Sequence, residues 1–263
     1  MEFKSNLPSE VMVRNRLTLA VLLGSPILVT AMMAVLFRPG AFDAADAGSL
    51  GPTQTVFWIA FAGFFFGLTY GLLQIVGEMA VFRRERRAGL SATAYVLSKF
   101  AVLTPVLAAV AAIVIGVLRM LDRLPPVGAD TYAIVFVTLL AEALAALALG
   151  LLTSAAVADA SQATLALPML CFPQVLFAGA VVPVADMAAP GRVMSFGLAN
   201  RWAFESLGAA FDLDAYARRL PAMAAYRDAF SGAVATGWAV LAVFTVMCTV
   251  ATVVVLDRRT RVA

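Results

Sequence analysis

Long apolar runs separated by short polar segments dominate the chain. A run of about 20 residues can cross a membrane, because a helix rises about 1.5 Å per residue and the hydrocarbon core is roughly 30 Å thick. Six runs reach that length, at residues 17–37, 56–76, 95–118, 131–152, 162–182 and 236–256. The pattern predicts an all-α membrane protein with six transmembrane helices, in a single domain that covers residues 1–263.

The polar segments predict further helices at the membrane surface. Residues 1–16 are polar and predict a short amino-terminal surface helix that begins near Pro8. Residues 195–211 and 214–230 carry apolar and aromatic side chains at helical spacing, although they lie in the longest hydrophilic stretch. Such spacing is typical of interfacial or re-entrant helices, which we expect between the fifth and sixth spans.

A charged segment at residues 78–99 links the second and third spans. Four arginines and Glu85 occupy residues 83–87, and an arginine excess next to a membrane span indicates the cytoplasmic side. Arginines alone would be enough to orient the protein, but orientation does not require Glu78 or Glu85. The mixed charges therefore favour contact with a soluble partner over a purely topological role.

The distribution of lysine and arginine predicts that both termini are cytoplasmic. The amino end holds three basic residues, the charged segment four and the carboxyl tail three, whereas the first and third connections hold three between them. The five basic residues of the long segment at 184–235 count less, because the bias applies to short loops. Trp58, Tyr132 and Trp238 then fall at outer helix ends, where aromatic side chains are enriched.

Composition excludes several classes of function. Hydrophobic residues make up 62% of the chain, charged residues only 13%, and the mean hydropathy is +0.93, so a soluble globular protein is excluded. The net charge of +3 comes from basic residues near helix ends, which suits lipid headgroups rather than nucleic acid. The chain lacks histidine, and neither Lys4 nor Lys99 closes a Walker A loop. We therefore expect no catalytic or metal site, and packing roles for Cys171 and Cys248.

Two features inside the spans leave alternatives open. Gly63, Gly67 and Gly71 form one stripe that allows close approach of a helix, either within the chain or from a second subunit. Glu142 lies at the predicted bilayer centre, where a carboxyl group is either functional or a protonated structural group. Gln74 and Gln174 are weaker cases of the same kind.

The charged segment and its flanks resemble type 2 ABC transporter permeases, closest to the ABCG (white/pleiotropic drug resistance) group. That group has a glutamate, a Phe-x-Arg-Glu core, a glycine, an aromatic residue near the next helix start and a proline inside that helix. The matching positions are Glu78, Val81, Phe82, Arg84, Glu85, Gly89, Tyr95, Lys99 and Pro105. Phe177-x-Gly179 and the external helical segment at 200–210 also resemble this group, and the likeness covers essentially the whole chain. The larger, cysteine-containing external region of the eukaryotic members is absent here.

The resemblance implies a coupling helix that docks on an ATP-binding domain. Its residues would be Glu78, Phe82, Arg83, Arg84, Glu85, Arg86, Arg87 and Gly89. ATP and Mg²⁺ would bind to that partner, which is a separate chain or an amino-terminal fusion. The alanine- and arginine-rich composition suggests a high-GC bacterium, where related arrangements join FHA domains, an ATPase and such a permease.

The resemblance also implies a homodimer with the translocation path between the second and fifth spans. The residues of this path or interface would be Gly63, Phe64, Gly67, Tyr70, Gly71, Gln74, Phe172, Gln174 and Phe177. The favoured function is export of a lipid-like, glycolipid or amphipathic drug-like substrate across the cell membrane. The alternatives are a non-transporting membrane scaffold or assembly protein, and a channel or proton-coupled carrier that uses Glu142.

Overall fold

The computed structural model describes residues 24, 26–40, 42, 51–219 and 221–261. The described part is helical and contains no strand. Its α-helices, in chain order, are α1 (Pro26–Leu36), α2 (Gly51–Leu72), α3 (Met79–Arg87), α4 (Ala92–Met120), α5 (Ala129–Ala156), α6 (Ala160–Leu176), α7 (Ala189–Phe196), α8 (Ala199–Ala210), α9 (Leu213–Arg219) and α10 (Val234–Arg261). Short 3₁₀ helices lie at Val76–Glu78, Val184–Asp186 and Pro221–Tyr226.

Four helical segments of the described part are long and apolar enough to cross a membrane. They are Gly51–Arg87, which includes α2 and α3, and the helices Ala92–Met120, Ala129–Ala156 and Val234–Thr260. These segments correspond to the predicted second, third, fourth and sixth spans. Of the predicted first span, only residues 24 and 26–37 are described. The predicted surface helix at residues 1–16 lies outside the described residues.

Helix α5 is the centre of the bundle. It packs against α2 and α10 along most of its length and also contacts α4 and α8. Small side chains dominate its buried surface, among them Ala143, Ala146 and Gly150, and Leu139 and Leu147 fill the space between them. Small residues let neighbouring helices approach closely, and this packing matters in a membrane because lipid supplies little hydrophobic driving force for helix association.

Several helix ends differ from the predicted spans. Helix α2 begins at Gly51, within the predicted loop, and ends at Leu72, before the predicted end at residue 76. Helix α6 ends at Leu176 rather than at 182, and the following residues turn around Gly179, whose φ is +97°. Helix α10 continues past residue 256 to Arg261. The apolar runs therefore located the helices, whereas polar contacts described below set where several of them end.

The segment between α6 and α10 forms a cap over one end of the bundle. Phe204 of α8 lies against Phe57 near the start of α2, with ring centroids 6.1 Å apart. The Gln174 side chain, near the end of α6, accepts a hydrogen bond from the Asn200 backbone N–H at 3.0 Å. Helices α7, α8 and α9 therefore lie at the end of the bundle opposite α3, as helices rather than as an irregular loop.

Candidate functional site

One apolar side chain anchors the charged helix α3 to the bundle. Phe82 is fully buried, whereas Val81 and Arg83 on either side of it are exposed. The Phe82 ring lies 4.6 Å from the Tyr95 ring of α4, centroid to centroid. Burying such a side chain stabilises a structure by about 1.5–3 kcal/mol, so this contact fixes which face of α3 points inward.

An ionic contact holds the beginning of α3 to α4. The Glu78 carboxylate accepts a hydrogen bond from Lys99 Nζ at 2.5 Å and one from the Tyr95 hydroxyl at 3.3 Å. Lys99 Nζ also lies 5.2 Å from the centre of the Tyr95 ring. Glu78, Phe82, Tyr95 and Lys99, all singled out by the sequence resemblance, thus form one cluster.

A second ionic contact ties the end of α3 to α10. Arg86 Nη2 donates to Asp257 Oδ1 at 2.7 Å, and Arg86 Nη1 donates to the Leu90 carbonyl at 3.0 Å. Gly89 follows with φ +105°, and the Leu90 N–H donates to the Glu85 carbonyl. A residue in the left-handed region is a common way to end a helix, and glycine adopts it at little cost.

The opposite face of α3 is charged and exposed. Arg83, Arg84, Glu85 and Arg87 are all exposed. Among the described residues, the Arg84 and Glu85 side chains have no hydrogen-bond or ion-pair partner, while Arg87 Nε donates to the Arg83 carbonyl at 3.4 Å. The inner face is thus held by Phe82 and Arg86, and the outer face presents charges of both signs to the surroundings.

The junction between α2 and α3 depends on a residue that sequence reasoning did not identify. The buried Ser154 Oγ, near the end of α5, accepts hydrogen bonds from the backbone N–H groups of Ile75 and Val76, each at 3.0 Å. One hydroxyl thereby satisfies two donors where α2 gives way to the 3₁₀ turn. A lone serine inside an apolar run gives no indication of such a long-range contact.

The carboxyl end of α5 is held by α10. Arg259 Nη1 donates to the Val157 carbonyl at 2.7 Å, and Arg259 Nη2 donates to the Ala156 carbonyl. A cationic side chain at these positions satisfies carbonyls that a helix end leaves unpaired.

Next to this contact, a cleft of about 540 Å³ opens between the start of α3 and the end of α5, lined on one side by Gly77 and Arg83. Helices α2, α3, α5 and α10 therefore meet at one end of the bundle.

The glycine stripe of α2 packs against α5 of the same chain. A Cβ atom added to Gly67 would lie 2.1 Å from the Ala143 carbonyl oxygen, and one added to Gly71 would lie 2.7 Å from the Leu147 carbonyl oxygen. At Gly63 it would lie 2.6 Å from the Leu139 side chain. Of the two alternatives, these contacts correspond to close approach of a helix within the chain.

The polar and aromatic candidates on α2 and α6 lie in different surroundings. Phe64 is fully buried, and Tyr70, in the second half of α2, is also buried. Gln74 follows α2 and is half-buried at the α3 end of the bundle. On α6, Phe172 is 66% exposed, whereas Gln174 is buried at the opposite end. Phe177, just after α6, is half-buried, and its ring comes close to Gly191 of α7. In the described part of the chain, Gln74 and Gln174 thus lie towards opposite ends of the bundle.

Glu142 is buried in the middle of α5. Its side chain is fully inaccessible, and neither carboxyl oxygen has a hydrogen-bond partner among the described residues. One turn earlier, Thr138 Oγ1 accepts a hydrogen bond from Trp238 Nε1 of α10 at 2.9 Å. The carboxyl group therefore lies inside the protein rather than towards lipid.

Among the described residues, no group of three or more His, Cys, Asp or Glu side chains could hold a metal ion. Cys171 and Cys248 are free thiols on α6 and α10.

Comparisons with known proteins agree on one family. The protein-family model described as ABC-2 type transporter matches residues 9–211. The chain is also similar to the ABC transporter ATP-binding/permease protein Rv1747 of Mycobacterium tuberculosis, with 32% identity over 171 residues. That similarity covers 62% of this chain and 19% of the relative, so the chain spans about a fifth of the relative's length.

Proposed function

This chain belongs to the ABC-2 type transporter family, and from that membership we propose that it is the permease of an ATP-driven exporter in the cell membrane. ATP and Mg²⁺ bind to a partner ATP-binding domain, either a separate chain or a fused one. The printed name of the mycobacterial relative, ATP-binding/permease protein, supports such a pairing. Family membership also favours a transporter over the non-transporting scaffold that the sequence left open.

The exposed face of α3 is the observation that carries this proposal. Arg83, Arg84, Glu85 and Arg87 are exposed on a helix whose other face is fixed by Phe82 and Arg86. A rigidly held helix with unpaired charges of both signs is suited to docking on a complementary protein surface. In this proposal α3 is the coupling helix, and the ATP-binding partner covers this face.

The contacts of α3 suggest how motion would reach the spans. Displacement of α3 would pull on α4 through Glu78 and Lys99, and on α10 through Arg86 and Asp257. Ser154 links the start of α3 to α5, the central helix of the bundle. Three of the membrane-length helices would then respond together when the partner hydrolyses ATP.

An apolar groove supports a lipid-like or amphipathic substrate, the class we propose. The groove lies between α1 and α2, has a volume of about 680 Å³ and is lined almost entirely by apolar side chains, among them Met32, Leu36, Trp58, Phe61 and Phe65. A cavity of this size suits the acyl or ring portion of an amphiphile. We propose that glycolipids, other lipid-like molecules and amphipathic drug-like molecules are the substrate class.

We place α3 and both termini on the cytoplasmic side and the cap of α7–α9 outside. The arginine excess of α3 supports this orientation, as do Trp58, Tyr132 and Trp238, which lie near the cap end of their helices. The test is labelling of Arg84→Cys in intact cells and in inverted vesicles, in a background without Cys171 and Cys248. We expect an impermeant maleimide to label this cysteine in inverted vesicles only. Labelling in intact cells would show the opposite orientation.

ATPase coupling tests the assignment of α3. The permease is reconstituted with its ATP-binding partner in proteoliposomes, and ATP hydrolysis is measured for the unchanged protein, for Arg84→Ala together with Glu85→Ala, and for Arg119→Ala. Arg119 is also an exposed arginine, at the end of α4 opposite α3. We expect at least tenfold less permease-dependent ATP hydrolysis with the double variant, and the control to match the unchanged protein. Equal coupling in all three proteins would contradict the proposal.

A proton-coupled carrier is a second candidate, and the buried carboxyl group of Glu142 favours it. Such a carrier would need that group to gain and lose a proton during each cycle. The test is Glu142→Gln, which keeps the shape and removes the proton exchange. Transport that is driven by ATP and unchanged by this substitution would exclude the carrier. Transport that follows a pH gradient without ATP and fails in the variant would favour it.

A further inference from the structure

A cavity of about 290 Å³ lies in the cap, at the end of the bundle opposite α3. Its walls are formed by residues that follow α6, by residues of α8, and by residues 225–232, which begin within the last 3₁₀ helix. This volume is near the lower limit for ligand sites, which suits a headgroup or small metabolite rather than a whole lipid.

Arg201 is the most buried charge in the cavity wall. It is 8% exposed, and its guanidinium lies 4.4 Å from the Phe196 ring centre and 5.1 Å from the Trp202 ring centre. Its Nε donates to Glu205 Oε1 at 2.8 Å, and its Nη1 donates to Ser195 Oγ at 2.6 Å. The third nitrogen, Nη2, has no acceptor among the described residues. A buried guanidinium with one unused donor can bind an anionic oxygen.

Negative charge lines the same cavity. Glu205 uses Oε1 for Arg201 and has no described partner for Oε2. Burial raises the pKa of the Glu205 carboxyl, although its hydrogen bond and ion pair with Arg201 act in the opposite direction. Arg227 and Asp228, both exposed, add one charge of each sign from the segment before α10. The side chains of these two residues have no hydrogen bond or ion pair with any described residue.

The aromatic side chains around the cavity hold its shape. Phe204 and Phe230 contact each other edge to face with ring centres 5.3 Å apart, and Phe230 stacks on Tyr226 at 6.4 Å. The Tyr226 hydroxyl donates to the Ala180 carbonyl at 2.5 Å, which ties the segment before α10 to the turn after α6. The aromatic part of the cavity wall is therefore held in place, and two positive and two negative side chains lie around it.

We propose that this cavity binds a small zwitterion, with a phosphate or carboxylate on Arg201 and Arg227 and an amine on Glu205 and Asp228. The balance of the four charges favours a ligand that carries both signs over an anion or a cation alone. The chemistry fits a phosphoethanolamine group, either free or as the headgroup of a lipid. Binding there requires no ATP-binding partner, so the inference is independent of the role proposed for α3.

The test uses the purified full chain in a nonionic detergent and isothermal titration calorimetry. The probes are phosphoethanolamine, inorganic phosphate and ethanolamine. We expect phosphoethanolamine to bind at least tenfold more tightly than either of the other two. Equal binding of phosphate alone would overturn the proposal in favour of an anion site, and absence of phosphoethanolamine binding would overturn it outright.

Matched variants separate the cavity from the rest of the surface. Asp228 has φ +65°, a conformation that asparagine tolerates, so Asp228→Asn removes charge with little change in the backbone. Asp212→Asn is its control, because Asp212 is also exposed, with φ +52°, and does not line the cavity. Arg227→Ala is paired with Arg218→Ala of α9 in the same way. We expect at least tenfold weaker binding in the two cavity variants only, and equal losses in the controls would contradict the site.

The two sources of the ligand are separated with nanodiscs. Discs that contain phosphatidylethanolamine in a phosphatidylglycerol background are compared with discs of phosphatidylglycerol alone, and free phosphoethanolamine is titrated into both. Reduced binding of the free ligand in the first discs identifies the lipid headgroup as the occupant. Equal binding in both identifies the free zwitterion.

Discussion

At the scale of single residues, three glycines determine how closely α2 approaches the centre of the bundle. A Cβ atom at Gly67 would fall 2.1 Å from a backbone oxygen of α5, a distance that no side-chain adjustment can relieve. Gly71 meets the backbone of α5 in the same way. Because lipid provides no strong hydrophobic driving force between helices, this close packing supplies much of the free energy of helix association.

We predict that Gly67→Ala destabilises the protein. The added methyl group forces α2 away from α5, and overpacking of this kind costs about 1–3 kcal/mol. Gly116→Ala in α4 is the control, because a Cβ atom there meets nothing within 4 Å. Thermal unfolding in detergent is the measurement. We expect a lower midpoint for Gly67→Ala and an unchanged or higher one for Gly116→Ala, where alanine favours the helix. An equal midpoint for both variants would show that α2 does not rest on α5 as described.

Residues that belong to a local sequence pattern could be predicted from the sequence. Residues that contact a partner far away along the chain could not. The small-residue spacing predicted close packing but not whether the partner belonged to the same chain. The motif with Glu78, Phe82 and Gly89 located α3, because its charges lie next to apolar spans. Asp257, Ser154 and Arg259 gave no such indication, since each acts on a residue at least 78 positions away.

At the scale of helices, some boundaries coincide with local caps and one with a polar contact from another helix. Ser91 and Asp159 each accept a hydrogen bond from the backbone N–H three residues later, and these local caps start α4 and α6. The end of α2 depends instead on Ser154 of α5. Hydropathy describes the apolar run alone, so it placed that end at residue 76 rather than at Leu72.

We predict that Ser154→Ala loosens the junction between α2 and α3. The change leaves the buried N–H of Ile75 and the partly buried N–H of Val76 without an acceptor, and a buried unpaired group of this kind costs about 1–3 kcal/mol. Hydrogen exchange read by mass spectrometry should be faster in peptides that contain Ile75 and Val76. Ser98→Ala is the control, because that hydroxyl donates only to the nearby Tyr95 carbonyl.

The same substitution tests transmission through the junction. In proteoliposomes with the ATP-binding partner, Ser154→Ala should retain ATP hydrolysis but lose substrate transport per ATP hydrolysed. The Ser98→Ala control should keep the ratio of the unchanged protein. A Ser154→Ala protein with faster exchange and an unchanged ratio would show that the junction is structural only.

At the scale of the whole molecule, the two ends of the bundle have different chemistry. One end carries the exposed charges of α3 and the junction of four helices. The other carries the cap, whose aromatic side chains and balanced charges enclose a cavity. Helix α5 connects them, since it contacts α8 of the cap and its Ser154 binds the junction between α2 and α3.

The exposed apolar surface of α6 is a candidate contact for the homodimer that the sequence resemblance implies. Leu165, Met169, Phe172 and Leu176 are all exposed and recur at spacings of four, three and four residues, which places them in one stripe. Helix α6 also contacts α2 of the same chain, and the exposed stripe is not covered by any described residue. In a twofold-symmetric dimer, a residue near the axis meets its own copy.

We predict that Phe172→Cys cross-links two copies of the chain in membranes, in a background without Cys171 and Cys248. Val102→Cys on α4 is the control, because its native side chain is 67% exposed and also apolar, against 66% for Phe172. A short bis-maleimide should give a dimer band on a denaturing gel for the first protein alone. Val250→Cys examines α10, whose exposed valines form a comparable stripe. Cross-linking through Val250 but not Phe172 would move the interface to α10, because only residues close to the symmetry axis come within reach of the reagent.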